Sequence, residues 1–195
     1  PRLQPIRVSI NGNNRGIMYF QEHFAKELVE FFHKREASII GFDDTERYFE
    51  YEKGNVISHR NPINIPITVY QYKEGDDTNN PLYWQQSNAN ALMQSYIEGK
   101  ISAKSIFNMN RIAHFYSLLY AWDGEHAFDL NNIRKYYNPI TRKFEPILYD
   151  ESIDEYDDGY ISALHEPFFK DDDFLKRIYH HLIELEKYYQ TDKFR

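Results

Sequence analysis

A chain of 195 residues, 42% hydrophobic and 17% aromatic, is long enough for one domain with a core or two small lobes, and too apolar to be disordered. Its formal charge of −7 excludes the basic surface of a non-specific nucleic-acid binder, although metal ions can still bridge carboxylates to a nucleotide's phosphates. The lack of cysteine excludes disulfides, thiolate zinc sites and thiol catalysis, and no apolar run approaches the ~20 residues of a transmembrane helix.

Residues 6–10 (IRVSI) alternate as a strand. NGNNRG at 11–16 is turn chemistry, because Asn and Gly tolerate positive φ, and IMYF at 17–20 returns as a second strand. From 24 to 35 the period becomes helical. Phe24, Leu28, Phe31 and Phe32 share a face, and Lys34 and Arg35 stand in the last turn, where cations suit the helix dipole. ASIIGF at 37–42 reads as a third strand. Residues 43–61 are charged and irregular; 63–73 alternate again, with Pro66 placing that strand at an edge. The loop EGDDTNNP at 74–81 is the best boundary between a small strand-rich lobe, 1–75, and a helical lobe, 76–195.

The second part opens with a helix over 84–97, ending near Gly99. A further helix lies within 102–122, where Ile106, Met109, Ile112, Ala113, Tyr116 and Leu119 form a wide apolar stripe suited to a core. A polar stretch, 123–132, leads to two short strands at 133–137 and 144–149 around the turn NPITRK. An acidic loop follows at 151–160. The last helix spans 172–189, capped by Asp171–Asp173, with Phe174, Ile178, Leu182 and Leu185 on its buried face.

The hairpin carries the chemistry. If its strands pair, their far ends return together, so Asn132 and Asp150 become neighbours. An amide oxygen beside a carboxylate suits an oxygen-seeking cation such as Mg²⁺. Asp123, His126 and Asp129 sit on the loop before it, and a loop carboxylate can orient an attacking hydroxyl. These are the parts of a phosphoryl-transfer site, although H-R-D, D-F-G and G-x-G-x-x-G are all absent. The opposing reading is structural: aspartates beside Gly, Asn and Pro commonly form turns and caps, and a lone His is commonly a hydrogen-bonded surface residue. His180 and His181 are adjacent on a helix and face different ways, which is poor ligand spacing. No H-E-x-x-H is present.

NNIRKYYNPITRKFEPILYD at 131–150 resembles the hairpin segment of the CotH family, the spore-coat-type atypical protein kinases. Three more stretches are similar in the right order: VSINGNNRGIMYFQE at 8–22, IFNMNRIAHFYSLLYAWDGEH at 106–126 and DDDFLKRIYHHLIELEKYY at 171–189. The resemblance implies an α+β, protein-kinase-like two-lobe fold that transfers phosphate from ATP to Ser or Thr hydroxyls of a protein, with Mg²⁺ or Mn²⁺. It gives Asp150 and Asn132 the metal, and Asp123 the role of base, with Asp129 as its rival in a subgroup organised around His126. Glu22 stands in the position of the glutamate that pairs with the phosphate-binding lysine, and no convincing lysine is found among the first 45 residues. Family members carry basic strands ahead of the first hairpin, so the resemblance implies a partial domain. It also implies a bacterial cell surface or coat layer as the setting. The alternative is a catalytically inactive relative serving as a scaffold, coat-assembly or binding module.

Overall fold

Asn11 and Gly12, both at positive φ (52° and 79°), close a hairpin between β1 (Leu3–Ile10) and β2 (Asn13–Gln21). The strands pair antiparallel from Leu3↔Gln21 to Ile10↔Asn13, with an irregularity between Val8 and Ser9 opposite Gly16. This ribbon is longer than the alternation at 6–10 and 17–20 predicts, and it is a separate two-stranded sheet. Every residue of β2 is exposed. The computed structural model describes residues 1–43, 45, 49, 53, 65–70, 80–150 and 164–191.

The first helix is shorter than its sequence period suggests. α1 covers Lys26–Phe31, ahead of His33 at φ 53°, and not 24–35. Six residues make less than two turns, so the expected apolar face does not assemble. Phe24 and Leu28 are buried, but Phe31 and Phe32 are 51% and 55% exposed, edge-on to each other, with Arg2 over the Phe31 ring.

A four-stranded antiparallel sheet forms the centre, in the order β4-β3-β5-β6: Ile67–Tyr70, Ile39–Phe42, Arg134–Asn138 and Lys143–Ile147. Strands from both sides of residue 75 thus share one sheet. β3 and β4 are shorter than expected, although 63–64 and 71–73 lie outside the described residues. So do most of the irregular stretch 43–61, the boundary loop through 79 and the acidic loop 151–160.

Asn80 caps α2 (Pro81–Ile97) by accepting from the Leu82 N–H, with proline at the first helical position, three residues earlier than the predicted start. The single helix expected within 102–122 is two: α3 (Ala103–Ile106) and α4 (Met109–Trp122). The break has a cause. Phe107 is extended and bridges Phe144 of β6, the Asn108 N–H donates to the Phe144 carbonyl at 2.9 Å, and the Asn108 side chain caps α4. α5 (Glu166–Phe169) and α6 (Asp172–Gln190) complete the chain, the latter capped by Asp171. Phe174 and Ile178 of α6 are buried as expected, whereas Leu182 is partly buried.

The larger core lies between the sheet and these helices. Tyr116 stacks on Phe128 at 4.4 Å, and Phe168 meets Phe107 at 5.0 Å and Phe174 at 5.5 Å. A smaller cluster, Phe24, Leu28, Val29, Ala37, Ile39 and Tyr136, gathers with α1. Arg134–Tyr137 of β5 are all buried, as a strand covered on both faces requires. Lys34, Arg111 and Asn138 all bind Glu145. Burial acts to raise that carboxyl, but these partners together hold it below the usual carboxylate range. The architecture is α+β. Among the described residues no helix is long and apolar enough to cross a membrane.

Candidate functional site

The β5–β6 hairpin stays in register from Asn138↔Lys143 to Arg134↔Ile147. Its open end therefore carries the segments 131–133 and 148–150 side by side. Asn132 stands on the first and Asp150 on the second. The loop that feeds them begins where α4 stops at Asp123, whose left-handed backbone (φ 56°) turns the chain. A 3₁₀ turn, Glu125–Phe128, follows. Ala127 and Phe128 are buried, so this turn is anchored to the core and holds His126 at its edge.

His126 is the centre of the cluster. Its Nε2 lies 3.4 Å from Asp150 Oδ2, and its Nδ1 lies 3.7 Å from Asp129 Oδ2. Asn132 Nδ2 donates to the His126 carbonyl at 3.1 Å, and the Asn132 N–H donates to the Asp129 carbonyl at 2.8 Å. Asn132 itself is buried, and its bond to the His126 carbonyl fixes its amide against the 3₁₀ turn. Asp150 sits at φ 52°, a backbone that Asp tolerates better than most side chains, and its carboxylate is about half exposed (47%). Four of the six residues singled out in the sequence, His126, Asp129, Asn132 and Asp150, are brought together in this way.

The other two stand apart. Asp123 is exposed and makes no ion pair or hydrogen bond with this group among the described residues. Glu22 follows β2 and is held by Arg2, which donates from Nε at 2.9 Å and from its terminal nitrogen. Its partner is thus an arginine of the ribbon. The bond from Arg2 is the main cause that holds the Glu22 carboxyl below the usual range.

Sequence reasoning missed Arg134. This residue is buried on β5 and donates from one guanidinium nitrogen to the carbonyls of Asn131 (2.5 Å) and Ile133 (3.0 Å), which flank Asn132. Its guanidinium carbon lies 4.9–5.2 Å from the ring centres of Phe24, Tyr70 and Tyr149. An aromatic cage thus fixes the arginine, and the arginine fixes the loop that bears Asn132. The signal was present as the abundance of Tyr and Phe, but no spacing rule links a cage to its cation across four elements. Gly41 of β3 makes the room: a Cβ there would come within 3.1 Å of Arg134.

Among the described residues no three His, Asp or Glu side chains converge as a metal cage. Mg²⁺ in nucleotide enzymes does not need one, since it takes one or two carboxylates and completes its shell with phosphates and water. Of the two residues expected to hold it, Asp150 has a half-exposed carboxylate, whereas Asn132 is buried. A pocket of about 370 Å³ lies between α1, the ribbon and β6, and none of the four cluster residues lines it. Leu28, Val29, Ile147 and Leu148 make its apolar wall, and Lys34, Arg111 and Glu145 its charged side. Leu148 is two residues, about 7 Å of extended chain, from Asp150.

No protein-family model matches the chain, and no significant match to a curated protein is found.

Proposed function

We propose that this chain is a CotH-like atypical protein kinase domain with a kinase-like two-lobe arrangement, which transfers the γ-phosphate of ATP to Ser or Thr hydroxyls of a protein substrate with Mg²⁺ or Mn²⁺. The observation that carries this reading is His126 standing between Asp129 and Asp150, with Asn132 on its carbonyl. A loop carboxylate, an amide and a carboxylate after a hairpin are the parts a phosphoryl-transfer site uses. Asp150 and Asn132 would hold the metal, which when bound neutralises charge building on the phosphates. Asp129 is the preferred base over Asp123, because it touches the cluster through His126. The imidazole, in contact with both carboxylates, sets their spacing. The pocket ending at Leu148 offers an apolar wall to the nucleoside, with phosphates directed toward Asp150.

The test is calorimetric titration of the chain with ATP, with and without Mg²⁺ or Mn²⁺, together with phosphotransfer to a generic protein acceptor. Asp150→Asn is the informative variant. Asn tolerates the same left-handed backbone, so the change removes charge and spares the fold. We expect metal-dependent binding in the parent and its loss, with at least a hundredfold fall in transfer, in the variant. Full activity in Asp150→Asn would sink the assigned role.

A second reading has its own observation. Glu22 is taken by Arg2, and the ribbon exposes Ile17, Tyr19 and Phe20. That favours a catalytically inactive relative acting as a scaffold or assembly module. It predicts no metal-dependent nucleotide binding by a well-folded chain.

A further inference from the structure

α4 and α6 pack against each other, and His114 and His181 line a groove with Arg111, Pro146 and Leu148, which also line the pocket beside β6. Ser117 Oγ of α4 donates to the Ile178 carbonyl of α6 at 3.0 Å. Three residues from each of these, His114 of α4 faces His181 of α6. Their Nδ1 atoms are 3.4 Å apart, and their rings meet at 82°. The adjacency of His180 and His181 hides this pairing in the sequence, because the second imidazole comes from another helix.

The orientation of His181 is fixed from behind. Its Nε2 lies 3.3 Å from Asn110 Oδ1, which can only accept, so Nε2 carries the proton and Nδ1 presents its lone pair. Arg177 also approaches Asn110 Oδ1, at 3.5 Å, which favours the same orientation of the amide. A histidine that donates its remote N–H to an oxygen, leaving the other nitrogen aimed at a neighbour, is how metal-ligating imidazoles are held.

The spacing discriminates between two uses of this pair. A nitrogen–nitrogen distance of 3.4 Å is long for an N–H···N hydrogen bond. Zinc–imidazole bonds of about 2.0–2.1 Å at a tetrahedral angle place two nitrogens about 3.3–3.4 Å apart.

We propose that His114 and His181 form a two-imidazole site for a borderline transition-metal ion, Zn²⁺ or Cu²⁺, linking α4 to α6, with water in the remaining positions. It is separate from the oxygen-donor cluster and does not depend on the kinase reading. The ion displaces any proton shared by the two Nδ1 atoms and joins the helices where they already pack.

The test uses the whole chain in magnesium-free buffer, titrated calorimetrically with ZnCl₂ and, separately, loaded with one equivalent of Cu²⁺ for EPR. We expect one site per chain and hyperfine splitting from two imidazole nitrogens. His114→Gln and His181→Gln should each weaken Zn²⁺ binding at least tenfold, and Asn110→Ala about 10–100-fold. His180→Gln should leave it unchanged. No binding at millimolar Zn²⁺, or affinity retained in His114→Gln, would overturn the proposal. The nitrogen count is read on the unaltered chain, so a variant that fails to fold does not protect the idea.

Discussion

Lys135→Met is expected to stabilise the fold at pH 7 and to flatten its response to alkaline pH. Lys135 lies on β5 with 1% of its surface exposed. Its ammonium stands over the Phe115 ring at 5.5 Å and has no ion pair among the described residues. Burial pulls this lysine from its ordinary 10.5 down to about 7. Between those values the unfolded chain holds a proton that the folded chain has shed. More protons on the unfolded state mean that stability rises with pH, by up to about 1.4 kcal/mol per pH unit. Below pH 7 both states are protonated and the full desolvation cost remains. Above pH 10 the sign reverses. Burial pushes Tyr136 up to about 12 and Tyr96 higher still, so the folded chain keeps protons that the unfolded chain loses. His165 adds to the same trend at lower pH. It is buried with neither ring nitrogen hydrogen-bonded among the described residues, and burial, then Lys135, holds it well below the usual imidazole range. Methionine fills similar space without the charge, and replacing a buried charge with a packed apolar group is commonly stabilising. Urea unfolding of both chains from pH 6 to pH 10 checks this. Parallel stability curves would show that Lys135 is not buried as described.

Phe168→Ala should cost about 3–5 kcal/mol, the largest loss we expect from any single truncation. Phe168 is fully buried on the short α5 and touches Tyr96 of α2, Phe107 of the α3–α4 junction, His165 and Phe174 of α6. No neighbour can relax far, because each is fixed by its own helix or bridge, so the cavity stays open. Against a typical total of about 5–15 kcal/mol, that loss lowers the melting temperature by about 7–12 °C. Phe31→Ala is the control. That ring is 51% exposed, and its truncation should change stability by less than about 1 kcal/mol. Similar melting temperatures for the two variants would contradict the core described.

The hairpin at 131–150 was legible because turn residues and alternation set its register, and register alone carries segments 131–133 and 148–150 to the same end. The α4 stripe was legible for a similar reason, since one period governs the whole face. Where the sequence misled, a local pattern lost to a distant partner. The period across 102–122 is broken at Phe107 and Asn108 by a strand that lies far along the chain. Phe31 and Phe32 match a helical face that six residues are too few to build. The contacts of His126 with Asp129 and Asp150 had no signal of their own, because they depend on the turn at Asp123 and on the anchoring of Phe128. His114 and His181 were invisible for the same reason: their helices meet only in the folded chain.

Gly41 illustrates how far from the site its geometry is decided. The missing side chain leaves the space that the Arg134 guanidinium occupies among three rings. A Cβ there would press on the Arg134 guanidinium and the Tyr70 ring at 3.1 Å, so one of them must give by a few tenths of an ångström, next to the carbonyls the arginine grips on either side of Asn132. A drift of this position to alanine or serine would therefore act as a silent loosening of the loop. It would leave every cluster residue in place in the sequence while shifting the arginine that braces the loop beside one of them.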